Sequence, residues 1–536
     1  MVDVRMSTNL QGQTATFSTF NKMMTTFSRL KWKMAAAGVL CGIVAGVLVV
    51  LYRLGIQYGL VFAHWMYGQM HRHWWLLIPW AVTVVAVGLL NAWMVKREPM
   101  ASGSGIPQTS GVVINGLSMK WQTILPVRFV GGLLGGLFGL SLGREGPSIQ
   151  IGACGAQFVS HRLATKHRND LQEHVMVTAG AAAGLSAAFS APLSGMMFAL
   201  EGVHRSFSPV ILIGATAASL TADFVSKTAL GLTPVLDFIH MPQLNLTHYW
   251  WMIPLGIVAG LLGSLTNRAL LGFQTLYGYV PARWRCVIAL VLALPIGLWL
   301  PEVLGGGSKL IELSELAQTS AMMLLVLLIA KLLFTCTSFG SGMPGGIFMP
   351  ILAVGALGGG LCGVLARDLG GISSQTVPLF AVCVMAGTLA SAVKTPITSI
   401  LLTVEMTGTL VHMLPVAATA FIGLLVSDLL KTKPIYGALL ERYLKQQGLE
   451  EHAHSAVGSG VMDFPVEMGS AADGHKVRDI AWPSGCLIVR LRRGDHEMVP
   501  RGDTELRAGD YLVVLFSGED EQSVRAAMLQ LCQGPQ

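Results

Sequence analysis

The sequence predicts an all-α polytopic membrane protein, built from two repeats with broken helices and followed by a small α/β domain at the C-terminus. Three observations carry that prediction. Only 12% of the 536 residues are charged while 52% are apolar, and the mean hydropathy is +0.59; soluble domains carry about twice that charged fraction. Apolar segments of spanning or near-spanning length recur at Met34–Leu51, Leu76–Met94, Val210–Phe224, Trp250–Leu271, Val287–Leu300, Ala321–Phe334 and Leu414–Leu429. They lack the period-two alternation of barrel strands, so helices are the spanning structure. Finally, the chain matches itself. Gly143, Pro147, Gly152 and Ala153 recur as Gly346, Pro350, Gly355 and Ala356, shifted by 203. Ala191-Pro192-Leu193-Ser194 followed by Glu201 recurs as Thr395-Pro396-Ile397-Thr398 followed by Glu405, shifted by 204, and Gly103-Ser104-Gly105 faces Gly305-Gly306-Gly307, shifted by 202. Three motif pairs in one order at nearly one offset mark a duplication.

Taken in order, residues 1–30 are polar and rich in Thr, Met and Ser, and are expected to be a loosely ordered cytoplasmic segment without a signal-peptide pattern. The transmembrane domain then spans 31–447, with repeats at about 34–230 and 250–443. Gly131, Gly132, Gly135, Gly136 and Gly139 allow helices to approach closely, which is packing rather than chemistry. Residues 448–471 read as a linker. From Gly458 the texture changes, and residues 472–536 read as a small soluble domain with strands at Leu487–Leu491 and Tyr511–Phe516, a turn at Arg493-Gly494-Asp495 and a closing helix at 519–532.

The formal net charge of +7 does not point to nucleic acid, because the basic residues sit at the ends of apolar runs: Arg29, Lys31 and Lys33 before the first, Lys96 and Arg97 after the second. That positive-inside pattern places both termini in the cytoplasm. The eight cysteines show no metal spacing and read as buried thiols; no metal site and no cofactor are expected. Gly306-Gly307-Ser308-Lys309 lacks the spacing of a phosphate loop and no nucleophile–base pair stands out, so an enzyme is disfavoured.

The chemistry concentrates at Gly143-Arg144-Glu145-Gly146-Pro147, which puts two ionisable groups into an apolar region. Pro147 suits a first helical turn, and the unpaired N–H groups of that turn attract an anion, with the tethered Glu145 carboxylate able to compete for the same place. A carboxylate at bilayer depth costs at least about 2.5–3.5 kcal/mol, so it must rest against donors or take up a proton. Ser102-Gly103-Ser104-Gly105-Ile106-Pro107 offers backbone amides and the Ser104 hydroxyl at a second helix start.

The set Gly-Ser-Gly-Ile-Pro at 103–107, Gly-Arg-Glu-Gly-Pro at 143–147, Gly-Ile-Phe-Met-Pro at 346–350 and Lys-Pro-Ile-Tyr at 433–436 resembles the CLC family of chloride channels and chloride/proton antiporters, over about residues 34–447. The resemblance implies that the two repeats are inverted-topology repeats, and it implies a homodimer with one anion pathway per subunit. It implies that Ser104 and Tyr436 donate hydroxyls to a central chloride, that the amides of Ile347 and Phe348 complete that site, and that Glu145 is the gating glutamate. Arg128 and Arg144 are read as shaping the local field or pairing structurally, and Gln108, where many relatives have a glutamate, as peripheral. The tail from about Ala472 to Phe516 resembles the C-terminal subdomain of RCK-type regulatory domains, which implies a regulatory module for a small ligand or ion, or a stabilising cap. The implied setting is a bacterial inner membrane, with chloride, protons and lipid as partners.

One departure stands out. Antiporters of this type carry an internal glutamate directly after the residue matched here by Glu201, and in this chain that position is Gly202. Glu201, or His204 with its ring that titrates near neutrality, could replace it in the proton route. Otherwise the protein is a passive gated chloride channel. A cation transporter is disfavoured because the paired motifs are helix N-termini.

Overall fold

No proline occurs before Pro79, and the first helix, α1, runs unbroken over Asp3–Arg72 in the computed structural model. Residues 3–30 therefore continue that helix, where a loose segment was expected. The structure describes residues 3–163, 170–205, 208–232, 234–236, 238, 241–315, 319–370, 372–408, 410–449, 460–493, 496–516 and 521–533. The chain forms two units, Met1–Val113 with Leu117–Leu440, and Ile114–Gly116 with Glu441–Gln536.

In the first unit α1 is followed by α2 (Leu77–Arg97), α3 (Ile106–Asn115), α4 (Trp121–Leu137), α5 (Glu145–Leu163), α6 (Asp170–Phe189), α7 (Pro192–Phe198) and α8 (Pro209–Leu230). The second copy repeats the series as α9 (Met252–Gly278), α10 (Ala282–Trp299), α11 (Ser308–Glu315), α12 (Ala321–Gly340), α13 (Phe348–Gly370), α14 (Val377–Val393), α15 (Pro396–Thr407) and α16 (Met413–Leu429), before a final α17 (Ile435–Gln447). Among the described residues, eight helical stretches are long and apolar enough to cross a membrane, beginning at Lys31, Trp74, Val210, Leu246, Ala282, Ala321, Phe348 and Ser374. The spans of α13 and α14 were missed by the sequence reading. Both are rich in Gly, Ala and Val and are buried inside the protein.

Small residues set the packing, and they do so twice. A side-chain carbon on Gly38 or Gly42 of α1 would come within 2.5 Å of the Gly214 or Ala218 carbonyl of α8. In the second copy, a carbon on Gly260 of α9 would sit 2.8 Å from the Gly423 carbonyl of α16. Gly152 of α5 lies against Gly184 of α6, and Gly359 of α13 against Phe380 and Ala381 of α14. Helices in lipid gain little from excluding water, so backbone-to-backbone approach is the main attraction available to them. In α4, Gly132 faces the Tyr52 hydroxyl and Gly136 the Ile56 side chain, the packing role expected of that glycine run.

The second unit is an antiparallel sheet of β1 (Gly460–Pro465), β2 (Cys486–Arg493), β3 (His496–Met498) and β4 (Asp510–Phe516), in the order β1-β4-β2-β3, followed by α18 (Glu521–Gln533). Leu491, Leu512 and Val514 from the sheet bury against Val524, Met528 and Cys532 of α18, and burial pushes the Cys532 thiol up to about 11. The first strand of the sheet thus begins at Gly460, inside the stretch read as linker: β1 is only six residues long and its pairing with β4 is non-local. Gly494 and Asp495 of the expected turn lie outside the described residues. Buried Asp510 accepts both arms of Arg493 at 2.7 Å, and Asp473 accepts the N–H groups of Gly469 (3.0 Å) and Ala508 (2.9 Å), which hold its carboxyl below the usual range.

Candidate functional site

The two copies meet through their matching residues. Gly143 and Gly346, aligned by the repeat, exchange two backbone hydrogen bonds of 2.7 Å, each N–H donating to the other's carbonyl. Gly103 N–H donates to Gly342 O at 3.3 Å, while Gly305 N–H donates to Gly139 O at 3.2 Å, and these bonds are again counterparts at offsets of 202 and 203. Reciprocal contacts of this kind define a two-fold relation. A side-chain carbon on Gly143 would displace the Glu145 carboxylate and crowd Met349 and Pro350.

Around this bridge the helix starts converge. Gly103 and Gly105 adopt φ of 60° and 88°, a left-handed backbone that only glycine takes without strain, and they present Ser104 just before α3. Ser104 lies against Gly146, in the first turn of α5, and Gly146 in turn against Gly346. Ile347 precedes α13 and Phe348 opens it, so their N–H groups belong to a first turn that no helix carbonyl satisfies. Tyr436, at the start of α17, meets the Phe198 ring edge-on at 6.5 Å, and Phe198 meets Phe348 at 5.7 Å. The hydroxyls of Ser104 and Tyr436 lie close to each other, both buried, and by distance and angle neither forms a hydrogen bond among the described residues. Two orphaned hydroxyls among helix N-termini form a donor set for something the protein does not itself supply.

Glu145 is the first residue of α5 and is 1% exposed. One carboxylate oxygen lies 3.9 Å from the Arg144 guanidinium, while the other forms no hydrogen bond among the described residues. A cavity of about 500 Å³ opens onto it, lined among others by Arg53, Arg144, Gly306, Lys309 and Met349. A second cavity of about 330 Å³ is lined by Glu201, Gly202, Arg205, Lys394 and Tyr436. Glu145 therefore fronts one cavity and Tyr436 the other, with Gly146 and Ser104 between them. The sequence-predicted residues Ser104, Glu145, Ile347, Phe348 and Tyr436 thus come together in one cluster.

Of the two residues suggested for a proton route, Glu201 lines the cavity that Tyr436 fronts but has its carboxylate engaged, and His204 is not in that lining. Glu201 caps α15: its carboxylate accepts from Ile397 N (3.3 Å), Thr398 N (2.8 Å) and the Thr398 hydroxyl (2.6 Å). Its repeat partner Glu405 caps α7 in the same way, through Leu193 N (3.0 Å), Ser194 N (2.8 Å) and the Ser194 hydroxyl. The pair exchanges caps across the two-fold. His204 ends a π-type turn over Ala199–His204 and contacts the Thr178 hydroxyl at 3.2 Å. Gly202 lies in that turn, and a side-chain carbon there would meet three ring carbons of Phe198 at 2.7–3.1 Å.

A family model described as voltage gated chloride channel matches residues 87–428. The chain belongs to that family, the CLC proteins. A TrkA-C domain model matches residues 461–529, which bears out the RCK-type reading of the tail. The H(+)/Cl(-) exchange transporter ClcA of Klebsiella pneumoniae is 32% identical to this CLC protein over 397 residues, covering 72% of the chain and 83% of the relative. ClcA of Cronobacter sakazakii is 32% identical over 440 residues, 78% and 91% of the two chains. Among solved structures, a slow cyanobacterial Cl-/H+ antiporter superimposes with a TM-score of 0.72 at 27% identity, covering 77% of this chain and all but 1% of its own. A CLC-type fluoride/proton antiporter, at 21% identity and a TM-score of 0.62, shares the fold. These relatives are transporters rather than enzymes, and the eight apolar spans make this CLC protein an integral membrane protein.

Two residues beside the site escaped the sequence reading. Phe198 was passed over as one apolar residue among many. Lys331 had a signal that went unused: it is the lone charge within the run Ala321–Phe334 and sits 203 residues after Arg128.

Proposed function

We propose that this CLC protein carries chloride across the membrane in exchange for protons, with Glu145 as the gate. The observation that carries the reading is the pair of buried, unpartnered hydroxyls of Ser104 and Tyr436 beside the first turns of α5 and α13. Chloride is large and weakly hydrated. Hydroxyl and amide dipoles can replace its water without a fixed positive charge that would trap it. Ser104, Tyr436 and the amides of Ile347 and Phe348 are its ligands in this reading. Glu145, facing the other cavity, occupies the path as a carboxylate and withdraws from it when protonated.

A passive gated channel is the second reading, and Gly202 favours it. Glycine carries no proton, Phe198 fills the space a side chain would need, and Glu201 is committed to the start of α15. An exchanger then depends on water in the cavity lined by Gly202 and Tyr436, or on His204. We further assign a bacterial inner membrane, cytoplasmic termini, a homodimer with one pathway per subunit, and a tail that takes a small ligand or ion. The deciding experiment reconstitutes the purified protein in liposomes and imposes a chloride gradient. Protons moving against their own gradient support the exchanger; chloride flux without proton movement selects the channel; no chloride flux removes both.

A further inference from the structure

Arg128 and Lys331 are both fully buried, and neither forms an ion pair among the described residues. Both spend their donors on carbonyls instead. Arg128 donates to Gly103 O, to Met100 O (3.3 Å) and Ser102 O (3.4 Å), and through Nε to Gln150 Oε1 (2.5 Å). Lys331 Nζ donates to Val303 O (3.0 Å) and Gly305 O (2.6 Å). Gly103 and Gly305 are repeat counterparts, and so are the short turns Pro99–Ala101 and Pro301–Val303 that precede them. Each cation therefore holds the same carbonyl in its own copy, behind the loop that opens a broken helix.

The peptide geometry gives this a direction. Among the described residues the peptide bonds are trans, so a carbonyl pulled one way turns the following N–H the opposite way. Gly103 O turned toward Arg128 leaves Ser104 N–H facing away from Arg128, beside the orphaned Ser104 hydroxyl. Gly305 O turned toward Lys331 likewise leaves Gly306 N–H facing away from Lys331, and Gly306 lines the cavity that Glu145 fronts. Neither N–H forms a backbone hydrogen bond among the described residues. A lone buried cation costs several kcal/mol and no carboxylate here compensates it, so its persistence in the interior calls for a role beyond packing.

We propose that Lys331 is a positioning residue of the transport pathway: acting through Gly305, it aims the Gly306 N–H into the cavity before Glu145 and places its amino group, cationic when protonated, behind that amide, so that anions are favoured there. This rests on the reading of the protein as a chloride transporter and deepens it. The first copy builds the corresponding amide at Ser104 with a hydroxyl beside it. The second copy, with glycine at 306, has the amide and the charge alone.

The test compares Lys331→Gln, Lys331→Met and Lys331→Arg in chloride flux measured against chloride concentration in liposomes. Wild-type flux checks the underlying reading separately. Methionine matches the lysine stem in volume and removes an uncompensated charge, so the Met variant is expected to fold even where the Gln variant is not recovered. Loss of the charge should raise KM for chloride roughly ten-fold in the Gln and Met variants. The Arg variant, which keeps the charge and the carbonyl contacts, should stay within about two-fold. If the lysine only pins the loop, glutamine replaces it through its amide donors and leaves KM unchanged. A wild-type KM in either neutral variant, or an Arg variant as impaired as the neutral ones, overturns the proposal.

Discussion

Gly202→Ala is the smallest change that tests whether Phe198 excludes a side chain at this position. The added carbon meets Phe198 Cε2 at 2.7 Å, Cδ2 at 2.9 Å and Cζ at 3.1 Å. The ring cannot turn aside freely, because it is fully buried and packed edge-on to Phe348 and Tyr436. Overpacking of this kind costs about 1–3 kcal/mol, against which alanine returns about 1 kcal/mol over glycine in a helical turn. The net effect in the wild-type background is a loss of up to roughly 2 kcal/mol. With Phe198→Ala already in place the obstacle is gone, and the same substitution should stabilise by about 1 kcal/mol, although Phe198→Ala itself costs about 3–5 kcal/mol. The coupling between the two sites is then about 1–3 kcal/mol with a reversal of sign. Thermal unfolding midpoints of the four proteins in one detergent give the comparison. A Gly202→Ala change that raises the midpoint equally in both backgrounds refutes the steric argument. The functional extension is Gly202→Glu: a carboxylate should strengthen proton coupling only together with Phe198→Ala, and equal coupling with the ring present removes Phe198 from the account.

Five further outcomes are expected. Glu145→Gln should keep chloride flux but abolish its dependence on pH and any coupled proton movement; unchanged pH dependence in liposome flux takes Glu145 out of the gate. Ser104→Pro removes a directional donor beside the proposed ion and should shift relative permeability from chloride toward nitrate, read as reversal potentials or competitive flux; an unaltered ranking places selectivity elsewhere. Glu405→Gln substitutes an amide that cannot accept from every N–H and hydroxyl at the start of α7, and should cost about 1–3 kcal/mol. Glu201→Gln should lower the unfolding midpoint by a similar amount, because its cap is the symmetry counterpart, and a loss of proton coupling without any loss of stability would instead return Glu201 to the proton route. In the tail, the Asp473 carboxyl is held below its unfolded value, so its contribution to stability is complete above the unfolded pKa and fades as pH falls through the folded one. Amide exchange at Gly469 and Ala508, corrected for intrinsic rates, should show protection that falls on acidification and is already absent in Asp473→Ala. Protection insensitive to both changes refutes the link.

The fold was legible where the sequence repeats itself. Gly143 and Gly346 were aligned by their neighbours, and they turn out to be bonded to each other. The hydroxyls, the helix starts and Glu145 could be read because rigid motifs of glycine and proline fix where side chains go. What could not be read depended on contacts distant in sequence. Glu201 looked like a free carboxylate near Gly202, because nothing local reveals that Thr398, almost two hundred residues away, uses it as a cap. The obstruction over Gly202 is likewise a matter of which way one ring leans. The strand Gly460–Pro465 was taken for linker because its stabilising partner, Asp510–Phe516, comes fifty residues later.

The reciprocal caps and the Gly143–Gly346 bridge also bear on how the protein is made. While the first copy is already in the bilayer, the carbonyl and N–H of Gly143 and the N–H groups of Leu193 and Ser194 have partners that have not yet been synthesised. Unpaired backbone groups are costly in hydrocarbon. The nascent first half must therefore be held in a hydrated or chaperoned state at the insertion machinery until Gly346 and Glu405 emerge. A ribosome stalled between the repeats would leave a product with the right helices and no way to close them, a substrate for membrane proteolysis rather than half a transporter.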